Sequence, residues 1–311
     1  MRRKVYGKSC SHSVNASTEL GFRFREFTLK DVNRISEIRQ KSLAEEFEIF
    51  GSGEESPLKT FLRYRLSSFI ERLTGKVFER LYVGEVLGDI VGTVILSRDG
   101  QRWTISGVMV DPKHRRRGYG KRLVSEACKV AERLGAKKIY LSVLETNAPA
   151  RALYRFLGFE DFDKKLYFYK DLKIVEKRIL HSRYKIAKLR DAALFKLFTL
   201  TLKQKPSERF AIFNDDKEPV GTLVFNRGYR SKVVIVSINL SKKHSGVGLE
   251  ESLLAIAFEQ TRRKGATRVL VKVDDPNQEL GRACNRLGLK LLCVVRDLSL
   301  NFDSASLFEI H

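Results

Sequence analysis

The segment from Val108 to Arg122 combines glycine with clustered cations in a pattern suited to binding phosphate. It reads Val-Met-Val-Asp-Pro-Lys-His-Arg-Arg-Arg-Gly-Tyr-Gly-Lys-Arg, an apolar strand entering a glycine-containing turn that opens a helix. Glycine permits conformations in which successive N–H groups converge, and a helix start adds unpaired N–H groups and a positive dipole end. Such a segment can cradle phosphate oxygens. A solvated basic loop is the alternative, and the complete strand and helix around the turn favour the phosphate site.

The charges of this segment also indicate an anionic ligand. Lys121 and Arg122 stand in the first turn of the predicted helix, where a cation is unfavourable by about 0.3–1 kcal/mol. Arg115, Arg116 and Arg117 lie just before that turn. Because so many cations gather at the positive end of a helix dipole, we expect an anion to bind among them.

The elements around this segment predict an α/β fold. Alternating or apolar runs predict strands, and apolar residues at helical spacing predict helices. The predicted strands are 22–27, 81–86, 90–96, 103–110, 139–144 and 166–172, and the predicted helices are 31–43, 120–134 and 149–157, with a further helix carrying Phe61, Tyr64, Leu66 and Ile70. Asp31 is predicted to cap the first helix by accepting a backbone N–H of its first turn.

The same order of landmarks recurs downstream, which indicates a duplicated domain. Val91-Gly92-Thr93 returns as Val220-Gly221-Thr222, and Leu157-Gly158 returns as Leu287-Gly288. We predict a basic tail at residues 1–20, a first domain at 21–172, a charged linker at 173–183 and a degenerate second domain at 184–311.

The second copy keeps the glycines of the loop but loses its cations. Gly118-x-Gly120 aligns by its letters with Gly246-x-Gly248, and the first turn of the helix that follows carries Glu250 and Glu251 in place of Lys121 and Arg122. Acidic residues suit an empty helix start and oppose a bound phosphate. Cys284, expected to be a thiol of ordinary pKa, aligns with Tyr154. The second copy is therefore predicted to bind phosphate poorly and to serve as a structural or substrate-shaping partner. A second, weak site is kept as an alternative, because Asn277 and Gly248 persist.

Two motifs in this order resemble the GNAT superfamily of N-acetyltransferases. Arg115-x-x-Gly118-x-Gly120 is similar to its pyrophosphate loop, and the segment from Asn147 to Phe159 is similar to its second cofactor motif. The resemblance covers residues 22–172 well and 178–311 weakly. It implies two tandem GNAT-like domains, each a mixed β-sheet with a splayed centre flanked by helices. It also implies acetyl transfer from acetyl-CoA to a primary amine by direct attack.

The resemblance assigns roles to individual residues. The backbone of Val108, Met109 and Val110 would bond the pantetheine arm of acetyl-CoA, as an added strand would. Asn147 would bond the same arm through its side chain, and Tyr154 would protonate the departing thiolate as a general acid. Tyr154 can also be explained as a core aromatic. The pyrophosphate would be held by Arg115, Arg116, Arg117, Gly118, Tyr119, Gly120 and Lys121, mainly through backbone N–H groups.

No general base is apparent. Relatives that acetylate protein N-termini often carry a Glu in the strand before Asn147, and Ser142 occupies that place here, while Glu145 is expected to lie in a turn. Two alternatives for the base stay open: ordered water, or a carboxylate of the acidic segment, residues 44–56. This segment carries five Glu residues and two Phe residues and would also attract a cationic acceptor. Those residues are Glu45, Glu46, Glu48, Glu54 and Glu55, with Phe47 and Phe50 between them. A solvated loop is the alternative for this segment.

The composition limits the class of protein. The chain has 311 residues and a formal charge of +22 spread over both halves, which favours anionic partners. Weak nucleic-acid association, a non-catalytic nucleic-acid-binding role and transfer of a longer acyl group are therefore kept as alternatives. The cysteines lack CxxC spacing, so no metal site is expected and a reducing, cytoplasmic compartment fits. No run is long enough to span a membrane. Acceptor identity and oligomeric state stay open.

Overall fold

The computed structural model describes residues 21–42, 49–50, 62, 77–172, 184–189, 208–227, 232–275 and 277–302. The predicted tail and linker, the predicted helix at 61–70 apart from residue 62, and most of the acidic segment lie outside the described residues. The strands are β1 (Phe22–Glu26), β2 (Val77–Val86), β3 (Asp89–Asp99), β4 (Arg102–Val110), β5 (Lys138–Leu144), β6 (Glu160–Asp171), β7 (Lys185–Lys188), β8 (Glu208–Phe213), β9 (Pro219–Arg227), β10 (Val233–Leu240), β11 (Arg268–Asp274) and β12 (Lys290–Asn301). The α-helices are α1 (Val32–Ser42), α2 (Tyr119–Arg133), α3 (Ala148–Phe156), α4 (Leu249–Arg263) and α5 (Gln278–Arg286).

All described strands belong to one mixed sheet. Its order is β1-β2-β3-β4-β5-β12-β6-β11-β10-β9-β8-β7. Each strand of the first half, β1 to β6, has a counterpart in the second half, β7 to β12, and the order reads the same from both ends under that correspondence. The predicted duplication and the α/β fold class are therefore confirmed.

The two halves exchange their last strands. β12, from the second half, pairs with β5, and β6, from the first half, pairs with β11. The two exchanged strands also pair with each other at the centre of the sheet. In consequence Leu298 and Leu300 pack in the core beneath α2, whereas Phe168 and Leu172 pack in the core beneath α4. Each core is completed by a strand from the other half.

The first half opens a gap between its two parallel strands. β4 and β5 pair only at Trp103↔Ile139 and Thr104↔Tyr140, after which β4 continues to Val110 without β5. A bulge near Gly107, whose φ is 56°, interrupts the pairing of β4 with β3. In the second half β10 and β11 pair over five residues, and β10 pairs with β9 without a bulge. The splayed centre is thus more open in the first half.

Asp31 does not cap the N-terminus of α1 in the predicted way. Asp31 is buried, and its carboxylate reaches backwards to accept the Thr28 backbone N–H at 2.6 Å. It also accepts from the Arg25 guanidinium at 2.7 Å, so it joins β1 to the helix start. The predicted cap, with Asp31 accepting from the turn that follows it, is wrong because Arg25 and Thr28 together satisfy the carboxylate from the other side.

The strand exchange predicts that core substitutions loosen the opposite half. Leu298→Ala removes a fully buried side chain from the core beneath α2 and should lower the free energy of unfolding by about 2–5 kcal/mol. Its counterpart, Phe168→Ala, should act on the core beneath α4. Amide hydrogen exchange should therefore speed up in α2 for the first variant and in α4 for the second. The reverse pattern would contradict the exchange.

Candidate active site

A loop between β4 and α2 forms a cradle of backbone N–H groups. Arg116 and Gly118 take positive φ values of 64° and 80°, and Gly118 directly precedes the helix. The first helical bond runs from the Arg122 N–H to the Gly118 carbonyl at 3.1 Å. The N–H groups of residues 119–121 therefore have no partner within the helix and point out of its start, at the positive end of the dipole.

A buried carboxylate fixes the entry to this cradle. Asp111 is 1% exposed, accepts the Lys113 backbone N–H at 3.0 Å and pairs with Arg34 of α1 at 2.6 Å. Burial by itself would raise the pKa of Asp111, but these two contacts outweigh it and hold the pKa below its usual value. Asp111 and Arg34 therefore anchor the loop to α1. Sequence reasoning assigned no role to either residue, although an Asp-Pro pair directly after a strand is a turn signal.

The backbone at the end of β4 meets the prediction only in part. The Asp111 N–H bonds the Val91 carbonyl of β3, so the trans peptide points the Val110 carbonyl away from β3 and into the gap. Contrary to the prediction, that carbonyl is not available to a ligand, because Ser42 Oγ and Arg115 Nε both donate hydrogen bonds to it at 3.2 Å. The backbone N–H and C=O of Met109 point toward β3, because the backbone groups of successive residues in a strand point alternately to its two edges. Val108 and the Val110 N–H remain on the gap side.

The side chains of the loop lie in two environments. Arg115, Arg116 and Arg117 are exposed, whereas Tyr119 is buried and stacks on Phe22 with 5.9 Å between ring centroids. Tyr119 can therefore offer a ligand only its backbone. Lys121 places its ammonium 4.6 Å from the centroid of the exposed Phe156 ring at the end of α3. The cations thus surround the cradle without filling it.

The second motif forms α3 and the turn before it. Asn147 precedes the helix, and its side-chain oxygen accepts the Ala150 N–H at 3.2 Å, which leaves its amide NH₂ as the group for a ligand. Tyr154 is 7% exposed and packs in the first core, with its ring 6.0 Å from that of Phe159. Both residues therefore have structural contacts, and their roles toward a cofactor stay predictions.

The corresponding cradle of the second half holds one of the chain's own carboxylates. Gly246 and Gly248 have φ values of 83° and 84°, and α4 begins at Leu249, so these residues correspond to Arg116 and Gly118. The alignment of the two GxG motifs by their letters is therefore wrong by two residues. Gly120 corresponds to Glu250, which is 2% exposed and accepts the Gly246 N–H at 3.0 Å and the Ser245 hydroxyl at 2.7 Å.

Glu251 and Cys284 also distinguish the second half from the first. Glu251, which corresponds to Lys121, pairs with Arg286 at 2.6 Å, in the place of the Lys121–Phe156 contact of the first half. Burial raises the pKa of the Cys284 thiol to about 12, helped by the nearby Glu251 charge. The expectation of an ordinary thiol pKa at the position matched to Tyr154 is wrong. Cys284 is therefore a core side chain that is poorly suited to donate a proton.

The two positions discussed for the general base, Glu145 and Ser142, both hydrogen-bond to residues of β12. Glu145 lies in the turn after β5, as predicted, and its pKa is lowered chiefly by a hydrogen bond from Arg296 at 2.8 Å. Ser142 donates a hydrogen bond to Asp297 on the exchanged strand β12 at 2.6 Å. Sequence reasoning missed Asp297, because a contact between residues so far apart in the chain carries no local signal.

The family follows from a comparison over most of the chain. A model of the acetyltransferase (GNAT) family matches residues 41–159 and again residues 176–289. The chain belongs to the acetyltransferase (GNAT) family. Both matches end where an exchanged strand begins, at Glu160 of β6 and Lys290 of β12. The predicted tandem arrangement of two GNAT domains is confirmed.

Known proteins resemble the chain in part of its sequence and, separately, in its fold. Streptothricin acetyltransferase of Streptomyces lavendulae is 39% identical over 74 residues, which span 23% of this chain and 39% of that relative. A tandem GNAT protein from the clavulanic acid biosynthesis pathway has a TM-score of 0.66 at 13% identity and covers 90% of this chain and 98% of its own. A GCN5-related N-acetyltransferase from Sphaerobacter thermophilus has a TM-score of 0.64 at 13% identity, and the match covers 90% of this chain and 95% of that chain. These two structures support the fold.

The described residues contain neither a candidate metal site nor a candidate membrane-spanning helix. No group of three or more His, Cys, Asp or Glu side chains in that part of the chain is placed to hold a metal ion. None of its helices combines the length and apolar character needed to cross a membrane.

Proposed function

We propose that the first half transfers an acetyl group from acetyl-CoA to a primary amine, and that the second half binds no acetyl-CoA. The observation that carries this proposal is the difference between the two cradles. The first has glycine at position 120 and surrounding cations, whereas in the second the Glu250 carboxylate accepts the Gly246 N–H and the Ser245 hydroxyl. A carboxylate seated in one cradle supports the fit of an anionic oxygen in the other.

The residues of the first half have distinct proposed roles. The N–H groups of Arg116–Lys121 hold the pyrophosphate, with the three exposed arginines adding positive potential. Val108 and the Val110 N–H orient the pantetheine arm across the gap, and the Asn147 amide NH₂ donates to it. Tyr154 protonates the leaving thiolate. Bound acetyl-CoA supplies the activated acyl group, which the amine attacks directly.

The acceptor is proposed to be a cationic amine. Streptothricin acetyltransferase is a relative over part of the chain, so streptothricin is one candidate to test. The five Glu residues of the acidic segment support a cationic acceptor through their charge, which would raise its local concentration. A longer acyl donor or a nucleic-acid partner has no specific contact among the described residues in its favour.

A binding and activity measurement tests the proposal. Calorimetry on the intact chain should give one acetyl-CoA per chain, because only the first cradle is open. A mixture of streptothricin, spermidine and L-lysine should then produce amine-dependent release of CoA. Two equal sites would contradict the assignment of the second half. Tight acetyl-CoA binding without any amine-dependent release would contradict the transferase function.

A further inference from the structure

Ser142 is exposed although it lies on an inner strand of a wide sheet. It belongs to β5, which is flanked by β4 on one side and by the exchanged β12 on the other. Ser106 of β4, at the same level of the sheet, is exposed as well. The two small side chains share the face of the sheet opposite the core beneath α2, because Ile105 and Leu141 face that core. Both therefore lie on the opposite face of the sheet, where they are exposed.

Ser106 and Ser142 lie near the closed end of the gap between β4 and β5. The last pair that joins the strands is Thr104↔Tyr140, and Ser142 lies two residues beyond it, about 7 Å along the strand. The phosphate cradle is at the other, open end, after Val110. A CoA whose pyrophosphate is held at the cradle and whose arm follows Val110 and Val108 must therefore direct its acyl end toward Ser142.

The Ser142 hydroxyl has a fixed orientation. Asp297 is 2% exposed and lies opposite Ser142 in the register of β12 with β5. One of its oxygens accepts the Ser142 hydroxyl at 2.6 Å, and the other pairs with Lys165 of β6. A carboxylate engaged in an ion pair only accepts hydrogen bonds, so the Ser142 proton is committed to Asp297. Because Ser142 is exposed, the lone pairs of its Oγ are available on this face of the sheet and can accept an N–H.

We infer that Ser142 Oγ accepts a hydrogen bond from the amine that attacks the acyl group, and that Asp297, from the second half, is its positioning residue. This inference rests on the proposed transferase function. Tyr154 belongs to the core on the opposite face, so the amine and the proton donor for the thiolate lie on different sides of the gap. The second half thereby completes the acceptor site of the first.

The equivalent pair in the second half cannot perform this role. Its β11–β6 register places Lys272 opposite Tyr167, where the first half has Ser142 opposite Asp297. A lysine ammonium only donates hydrogen bonds and carries a charge that repels a cationic amine. The inference therefore agrees with a single active half.

The test measures acceptor kinetics and cofactor binding separately. The acceptor is whichever of streptothricin, spermidine and L-lysine gives the fastest CoA release with the unchanged protein. Ser142→Ala should lower kcat/KM for that amine about tenfold, with the Kd for acetyl-CoA changed less than about twofold. Ser142→Thr keeps the hydroxyl and should retain most of the activity. Asp297→Asn should show a similar loss, because it no longer commits the hydroxyl proton.

Two further variants separate positioning from folding. Asp297→Asn leaves the Lys165 charge without its partner, so it is compared with the double variant Asp297→Asn/Lys165→Met, which removes both charges. Ser299→Ala, two residues along the same face of β12, is the control for disturbing the strand. Unchanged acceptor kinetics in Ser142→Ala would overturn the inference while leaving the transferase function standing. Absence of amine-dependent release in the unchanged protein would overturn the function and the inference together.

Discussion

Tyr154→Phe should slow acetyl transfer by a factor on the order of 10²–10⁴, because it removes the proposed proton donor for the CoA thiolate. The Kd for acetyl-CoA should change less than about threefold, since a phenol-to-phenyl change leaves the ring and its packing in the first core. The measurement is single-turnover release of CoA at saturating acetyl-CoA, with the Kd taken from calorimetry.

Tyr82→Phe provides a matched control for this prediction. Tyr82 and Tyr154 are both 7% exposed and pack in the same core beneath α2. Loss of either hydroxyl therefore costs comparable core stability, while only Tyr154 belongs to the cofactor motif. A normal rate in Tyr154→Phe would return Tyr154 to the role of a core aromatic. An equal slowing in both variants would assign the effect to the core rather than to proton transfer.

The local elements and the first cradle could be predicted because their signals are local. Strand alternation, the glycine before α2 and the Asn before α3 each act within a few residues, and the structure has all of these elements. β6 was predicted to begin at Leu166, but it begins at Glu160. Its first residues, Glu-Asp-Phe-Asp-Lys-Lys, lack apolar alternation, because pairing with β12 at the centre of the sheet replaces that signal.

The strand exchange could not be predicted from the sequence. β6 and β12 occupy equivalent positions in the two copies, so each could pair with the β5-like strand of either half. The choice depends on the path of the connecting chain and on contacts such as Ser142–Asp297, which join distant residues. A local pattern gives no information about either. The acceptor-side function of Asp297 was hidden for the same reason.

The alignment of the two phosphate loops failed for a different physical reason. The letters Gly-x-Gly occur in both copies, but backbone conformation determines which residues correspond. Arg116 adopts a positive φ of 64°, which glycine tolerates far more readily, so a glycine-based alignment overlooks it. The corrected correspondence pairs Gly120 with Glu250. Position 120 thereby becomes the residue that distinguishes an open cradle from a filled one.

Gly120→Glu should raise the Kd for acetyl-CoA by at least about a hundredfold. In the second half the carboxylate at this position accepts the Gly246 N–H at 3.0 Å, and the corresponding N–H in the first half belongs to Arg116. A glutamate at 120 would occupy that donor and repel the pyrophosphate, and two like charges 4 Å apart near a protein surface interact by about 4 kcal/mol. Calorimetry gives the Kd directly.

Gly120→Gln is the control, because it adds the same bulk without the charge. A β-carbon at 120 would lie 3.3 Å from Leu153 Cδ2 and 3.7 Å from Val110 Cγ2, so both variants disturb the packing between α2, α3 and β4 to the same extent. The steric part of the loss is therefore common to the two, and the difference between their Kd values isolates the carboxylate. The Gly120→Glu variant should bind acetyl-CoA far more weakly than the Gly120→Gln variant, and the difference between their Kd values should shrink as salt screens the charges. If Gly120→Glu and Gly120→Gln weaken binding equally, the Glu250 carboxylate in the second cradle does not explain why the second half would bind no acetyl-CoA. The less open β10–β11 gap must then account for it.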